Sequence, residues 1–288
     1  MKKIIILIPV YNDWESLHKL LIEINHSIKF IKNIQFNCVI VNDSSKIPVP
    51  EIKKPSNITA IELINMKKNK GHARCNAFAI RHLSKIDNFD HLILMDGDGE
   101  DRPEEIALLV EQALSEENTS VVAKRVKRSE GLFFQFLYQA HKIITILFTG
   151  KNINFGNYSC LTKLDVKKLS TKKSLWSSFS GSLKFHIPEL NSIKSKRGLR
   201  YFGPSKMSLF KLFVHSLSII AVFKKKVFLR SAILIIFSSF FVSKMALPII
   251  IFQFLITVFN ILIYIVSLRE NEKEFLESDL DIENIKTF

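Results

Sequence analysis

The chain has 288 residues, 47% of them apolar and 11% aromatic, with 9 Gly and 8 Pro, which excludes a disordered or fibrous protein. Its net charge of +14 is uneven: Arg269 to Phe288 carry −4 and the remainder +18, favouring anionic partners such as nucleic acid, lipid headgroups or phosphate-bearing substrates. Cys38, Cys75 and Cys160 are too widely spaced for a disulfide framework or a zinc site, and Ile4–Val10 is too short for a secretory h-region.

In chain order, Ile4–Val10 reads as a buried strand. Asn12 is placed to cap a helix, with Glu15 three residues on, and Leu17, Leu20, Leu21, Ile24 and Ile28 repeat on one helical face. Phe36–Val41 and Ile58–Ile64 are further strands, followed by a helix over His72–Leu83. His91–Met95 is a fourth strand, Pro103 opens a helix with Glu104 and Glu105 in its first turn, and Ser120–Ala123 is a fifth strand. This rhythm predicts an α/β fold, a mostly parallel Rossmann-like sheet with helices on both faces. Ligands of such sheets bind beyond the carboxyl ends of the strands, where Tyr11-Asn12-Asp13, Asn42-Asp43, Asp96-Gly97-Asp98 and Lys124-Arg125 would converge.

Beyond the fifth strand the pattern changes. Leu132–Phe148 is an apolar stretch that fits either an interfacial helix or a long core helix, and 151–207 is basic and loop-rich. Leu209–Phe223 is amphipathic and leads into Lys224-Lys225-Lys226. Ser231 to Leu268 is nearly uncharged, broken only by Lys244, which predicts two short membrane-crossing helices with a turn near Lys244–Pro248. Flanking Lys and Arg place both ends in the cytoplasm, so the expected location is a cytoplasmic (inner) membrane, multi-pass, with the catalytic domain cytoplasmic and lipids in contact. The expected division is a catalytic domain over 1–207, a juxtamembrane amphipathic helix over 208–226, a transmembrane hairpin over 227–268 and an acidic cytoplasmic tail over 269–288.

The sharpest chemical signal is Asp96-Gly97-Asp98-Gly99-Glu100-Asp101, between an apolar strand and a helix. Carboxylates at alternate positions suit one hard cation, Mg2+ or Mn2+, carrying a bound diphosphate, and the two glycines allow a tight turn. The metal ligands expected are Asp96, Asp98 and Glu100.

Ile8-Pro9-Val10-Tyr11-Asn12-Asp13, Val41-Asn42-Asp43-Ser44-Ser45, Asn69-Lys70-Gly71 and the acidic loop occur in the order that resembles family 2 glycosyltransferases, which have the GT-A fold. Arg200-Tyr201-Phe202-Gly203-Pro204-Ser205-Lys206 and the apolar hairpin resemble, within that family, the dolichol- and polyprenyl-phosphate sugar transferases. The resemblance implies a nucleotide-sugar pocket of Pro9, Tyr11, Asn12, Asp13, Asn42, Asp43, Gly71 and Asp96. It implies that Asp98, Asp101 and Arg125 act at the reacting centre, and that Arg128, Arg200, Ser205 and Lys206 hold the lipid phosphate. The family usually has two acidic residues where this chain has Asn42-Asp43, Gly at Ser44 and a neutral residue at Glu100.

The implied activity is inverting transfer of a hexose-type sugar from a UDP- or GDP-sugar to a polyprenyl phosphate. Alternatives are a transferase acting on a lipid-linked glycan, and a membrane-bound pseudoenzyme or adaptor that binds nucleotide without turnover. A processive synthase would need a Gln-x-x-Arg-Trp signature, which neither Trp14 nor Trp176 completes. Nucleic acid is not an expected partner, because the basic groups crowd toward the apolar segments and no nucleic-acid motif is present. Oligomeric state stays open, a homo-oligomer included. His72, His141 and His215 read as structural or interfacial.

Overall fold

The computed structural model describes residues 1–127, 132–204, 208–243 and 245–288. Strand β1 (Lys2–Val10) is followed by α1 (Trp14–Ile28), β2 (Ile34–Asn42), β3 (Ala60–Met66), α2 (His72–Leu83) and β4 (His91–Leu94). A 3-10 turn at Pro103–Glu105 runs into α3 (Ile106–Ser115), then β5 (Val121–Lys127), α4 (Leu132–Thr149), β6 (Phe155–Thr162), α5 (Lys163–Leu169), α6 (Phe179–His186) and β7 (Asn191–Lys196). The chain ends with α7 (Leu209–Ala221), α8 (Lys224–Ser239), α9 (Ala246–Ser267), α10 (Glu272–Leu276) and β8 (Ile282–Thr287).

The eight strands form one sheet in the order β7-β5-β6-β4-β1-β2-β3-β8. Its centre, β4-β1-β2-β3, is parallel, as the continuous apolar runs predict. β6 runs antiparallel between β4 and β5, and β8 antiparallel along β3. Side chains alternate faces with period two, so Ile4, Ile6 and Ile8 join one core with α1 and α3 while Ile5 and Leu7 join the other with α2. The α1 face Leu17, Leu20, Leu21, Ile24 and Ile28 is buried as its spacing predicts. Each such side chain contributes ~1.5–3 kcal/mol.

Three sequence expectations change here. Asn12 does not cap α1: Asp13 stands at the N-cap without a side-chain hydrogen bond. Asn12 takes a left-handed φ of 51° and its Oδ1 accepts from the backbone N–H of Lys46 (2.7 Å) and Ile47 (3.1 Å) instead. The acidic segment 269–288 is no separate appendage, because β8 completes the sheet edge along β3. The region 151–207, unreadable as regular structure from sequence, supplies β6, β7, α5 and α6.

The apolar pair α8–α9 exists as packed helices, with Gln253 Nε2 donating to Ser238 Oγ and Ser239 Oγ at 3.0 Å each. Among the described residues only α9, 22 residues long, is long and apolar enough to cross a membrane. α8 opens with three lysines and carries Arg230, so length and composition give one candidate span among the described residues and the second helix of the expected transmembrane hairpin is not confirmed. The expected turn residue Lys244 lies outside the described residues. Only 17% of the apolar window of α9 is buried, unlike a core helix. Exposed apolar side chains continue onto α8 (Ile233, Ile236, Phe237) and α4 (Phe136, Ile143, Leu147), so α4 is not a core helix.

Candidate active site

The register sets the first wall of the site. Val10 lies beside Asn42, and the Asp43 N–H donates to Val10 O at 2.9 Å. The Asp43 carboxylate accepts from the Lys70 N–H (2.7 Å) and the Gly71 N–H (2.8 Å), and Asn69 Nδ2 donates to Asp43 O. Burial pushes the Asp43 carboxyl up and these amides pull it back. Gly71 has φ 88°, which suits glycine. Ser44 holds φ 56° where the family usually has Gly, a locally strained choice. Asn42 begins a buried amide ladder: its Nδ2 donates to Asn65 Oδ1 (2.8 Å), and Asn65 Nδ2 donates to Asn284 Oδ1 on β8 (2.7 Å). Pro9 pairs in register with Val41, Tyr11 is part-exposed, and Asn12 N donates to Ser45 Oγ, so the predicted nucleotide-pocket residues do meet at one sheet edge.

The acidic loop forms the second wall. β4 ends beside β1, with Met95 N donating to Leu7 O, so the acidic loop emerges beside Pro9, whose O lies 3.0 Å from where a Cβ on Gly97 would stand. Asp96 Oδ1 accepts from Asn157 Nδ2 at 3.1 Å and lies 3.1 Å from His72 Nε2. Burial would raise its carboxyl, but His72, Asn157 and Arg125 hold it well below the usual range. Asp98 and Asp101 go the other way, pushed up by burial and by the charge of Asp96. Asp101 is buried, and its Oδ2 accepts from the Asp96 N–H at 3.0 Å, which ties the loop closed. A Cβ on Gly99 would sit 2.6 Å from the Tyr201 ring at a φ of 90°, so only glycine fits.

Two arginines from the segment after β7 enter this loop. Arg200 pairs with Asp98 Oδ2 (Nη1, 2.8 Å) and with Asp13, and Arg197 pairs with Glu100. Arg125 packs over Gly156 on β6, its charge acting on Asp96 and Asp101. Arg128, Ser205 and Lys206 lie outside the described residues. Sequence reasoning missed His72 and Asn157. His72 was read as structural, yet it faces Asp96, and the carboxylates of Asp96, Asp98 and Asp101 outweigh desolvation to raise its pKa.

Among the described residues no three His, Cys, Asp or Glu side chains converge as a protein-built metal cage. Glu100 is engaged by Arg197. Asp96 and Asp98 are carboxylate oxygen donors two positions apart on one loop, the donor type that a hard divalent cation takes. Mg2+ sites commonly use one or two carboxylates and take their remaining oxygens from substrate phosphates and water.

Helices α4, α7, α8 and α9 together carry an exposed apolar belt that includes Phe136, Phe210, Ile236 and Leu255.

The model of "Glycosyl transferase family 2" matches residues 5–179, more than half of the chain and both walls of the site. The chain belongs to glycosyl transferase family 2. This family 2 glycosyltransferase is 29% identical over 167 residues to an undecaprenyl-phosphate 4-deoxy-4-formamido-L-arabinose transferase of Proteus mirabilis, covering 57% of this chain and 48% of that protein. It is 27% identical over 231 residues to the Salmonella choleraesuis protein of the same name, covering 74% and 64%. The enzyme thus spans about half to under two thirds of the length of these curated relatives.

Among solved structures it is similar to S. aureus TarS 1-349 in complex with UDP-GlcNAc (TM-score 0.53, 16% identity, 85% of this chain and 73% of that one). It is also similar to the mannosyltransferase PcManGT of Pyrobaculum calidifontis in complex with GDP-Man and Mn2+ (TM-score 0.51, 13% identity, 92% and 86%). These likenesses bear out the GT-A fold.

Proposed function

We propose that this family 2 enzyme moves a sugar from a UDP- or GDP-sugar to a polyprenyl phosphate of the undecaprenyl type at the cytoplasmic face of a membrane. The observation that carries this reading is the carboxylate loop at the sheet edge, with Arg200 on Asp13 and Asp98, in a chain whose apolar helix α9 is only 17% buried over its window. The names of the similar Proteus and Salmonella proteins support the same acceptor. A long lipid lying along the exposed belt would bring its phosphate to the height of the acidic loop, which is catalysis by proximity.

The chemistry follows from charge. A phosphate monoester with a second pKa of about 6 is already anionic at neutral pH, so the acceptor needs no strong base. The harder task is the departing nucleoside diphosphate. Asp43, steadied by Lys70 and Gly71, would hold the nucleoside, and Asn42 the base. Arg200, poised on Asp13 and Asp98, would exchange carboxylate for phosphate oxygens as donor or acceptor enters. Arg125, whose charge acts on Asp101, would steady charge at the sugar, with Asp101 orienting the sugar. Mg2+ or Mn2+ on Asp96 and Asp98, with Glu100 joining only by releasing Arg197, would neutralise the diphosphate. Arg128, Ser205 and Lys206 would complete the lipid-phosphate site. The result is direct, inverting displacement.

The divisions expected from sequence support a catalytic unit over 1–207 joined through the amphipathic α7 to the apolar pair. With α8 and α9 inserted together as the hairpin expected from sequence, both ends of the pair would lie on the cytoplasmic side, because Lys224 Nζ and Glu270 Oε2 join them at 2.8 Å. The sugar expected from sequence is of hexose type, whereas the curated relatives are named for a formamido-arabinose. The test is transfer of labelled sugar to undecaprenyl phosphate in membranes with Mg2+ or Mn2+. The donor panel covers UDP- and GDP-hexoses and UDP-4-deoxy-4-formamido-L-arabinose. Label entering the lipid from one donor, and lost with Asp98→Ala, is expected. No transfer from any donor while nucleotide still binds would replace this reading with a different acceptor or a pseudoenzyme.

A further inference from the structure

The last sixteen or so residues leave the apolar helix α9 and return to the nucleotide pocket along two separate routes. On the first, Glu274 of α10 lies 2.8 Å from Lys70 Nζ, and Asp281 lies 3.1 Å from the same ammonium. Lys70 is the residue whose backbone N–H holds Asp43. Glu274 also accepts from Trp176 Nε1 at 3.1 Å, and its neighbour Phe275 is fully buried against the Trp176 ring, 5.9 Å between centroids. The carboxylate is thus held in place before it grips Lys70. On the second route, Asn284 of β8 ends the ladder through Asn65 to Asn42. Lys67, between the two, donates its N–H to Asp281 O (2.8 Å) and its ammonium to Leu280 O (2.9 Å).

Both routes stop at groups expected to touch the nucleoside, and both start from a segment anchored to the apolar pair through Lys224–Glu270. An exposed sheet edge needs covering, but that requirement would be met by backbone pairing alone. It does not call for two side-chain routes that end on the Asn42 amide and the Asp43-binding loop.

We propose that the C-terminal segment Glu272–Thr287 is a brace that sets the donor-nucleotide pocket, with Glu274 and Asn284 as positioning residues. Membrane anchoring through α9 and nucleotide affinity are then mechanically joined. The inference rests on the reading that Asn42 and Asp43 hold the donor nucleoside.

The experiment uses the full chain in detergent or nanodiscs with Glu274→Gln, Asn284→Ala and, as a control on the exposed face of β8, Glu283→Gln. UDP and GDP binding in Mn2+ is titrated by calorimetry, transfer is measured at saturating donor, and amide hydrogen exchange is followed at Lys70 and Gly71. Glu274→Gln and Asn284→Ala should each weaken binding of the preferred nucleotide by about fivefold, the scale of one partly exposed polar pair, and leave kcat within about twofold. Glu274→Gln should speed exchange at Lys70 and Gly71 by a similar factor, and Glu283→Gln should change neither. Lys70→Met combined with Glu274→Gln should cost less than the sum of the two single variants, because both remove the Lys70–Glu274 pair.

Wild-type affinity together with wild-type exchange in both variants would overturn the brace. So would a loss of kcat with affinity intact. If the wild-type chain binds neither nucleotide, the donor reading fails instead, and the exchange at Lys70 and Gly71 still decides whether the segment braces that loop.

Discussion

The Asp43 carboxylate is held by two backbone amides, those of Lys70 and Gly71. Replacing it with Ala leaves both N–H groups without their acceptor in a part-buried turn, which costs ~1–3 kcal/mol. Asp43→Ala is therefore expected to raise the donor KM by about tenfold or more and to lower the thermal midpoint. Asp98→Ala should instead abolish turnover, and steady-state kinetics beside thermal unfolding separates the two. Ser44 offers a milder test: its left-handed φ makes Ser44→Gly stabilising by up to ~1 kcal/mol in a denaturant titration. At this scale the carboxylates were readable because each follows an apolar strand and neighbours a turn. Asn157 was not, since its partner Asp96 is 61 positions away and nothing local marks an Asn for that role. His72 was discounted for the same reason: a histidine opening a helix has no sequence signature until the opposing carboxylate is in place.

At the scale of elements, the 3-10 turn Ser278–Asp281 is fastened to α2 by one carboxylate. Burial alone would raise the Asp279 carboxyl, but hydrogen bonds from Lys85, His82 and Arg81 bring it down to about 2. A carboxyl whose folded pKa lies below its ordinary value of about 3.9 stabilises the fold above that value and loses the contribution as pH falls toward 2. The unfolding midpoint in urea should thus drop between pH 4 and pH 2 in the wild type and drop less in Asp279→Asn. The parallel core strands were legible, since burial on both faces requires unbroken apolar runs. β7 and β8 were not: Asn191–Lys196 and Ile282–Thr287 are edge strands with charged, exposed side chains, and what makes them strands is the neighbour they pair with. The first helix was found with its face right and its cap wrong, because Asn12 had a competing set of amides to accept from.

For the molecule as a whole, the exposed apolar belt is the feature that asks for a membrane. Leu255 lies mid-way along α9 and is 59% exposed. On a soluble surface Leu255→Arg would be nearly neutral, within about 0.5 kcal/mol. At the centre of a spanning helix it costs ~2.5–3.5 kcal/mol of insertion. The variant is expected to move from the carbonate-resistant membrane fraction toward the soluble or aggregated one, while the sheet domain keeps its folded signature. Retention of Leu255→Arg in the carbonate-resistant fraction at the wild-type level would argue against α9 as the anchor.

The sequence by itself determined the α/β alternation, the sheet edge that gathers the carboxylates and the apolar character of the C-terminal third. Each of these follows from local periodicity or from a strand end, and periodicity is written in consecutive residues. Tertiary structure decided that Arg200 and Arg197 occupy the acidic loop, that His72 and Asn157 flank Asp96, and that the acidic C-terminal segment is part of the catalytic sheet. Those outcomes depend on pairings between residues 24 to more than 200 positions apart, and a charged or amide side chain acquires a partner only when folding brings one within hydrogen-bonding reach.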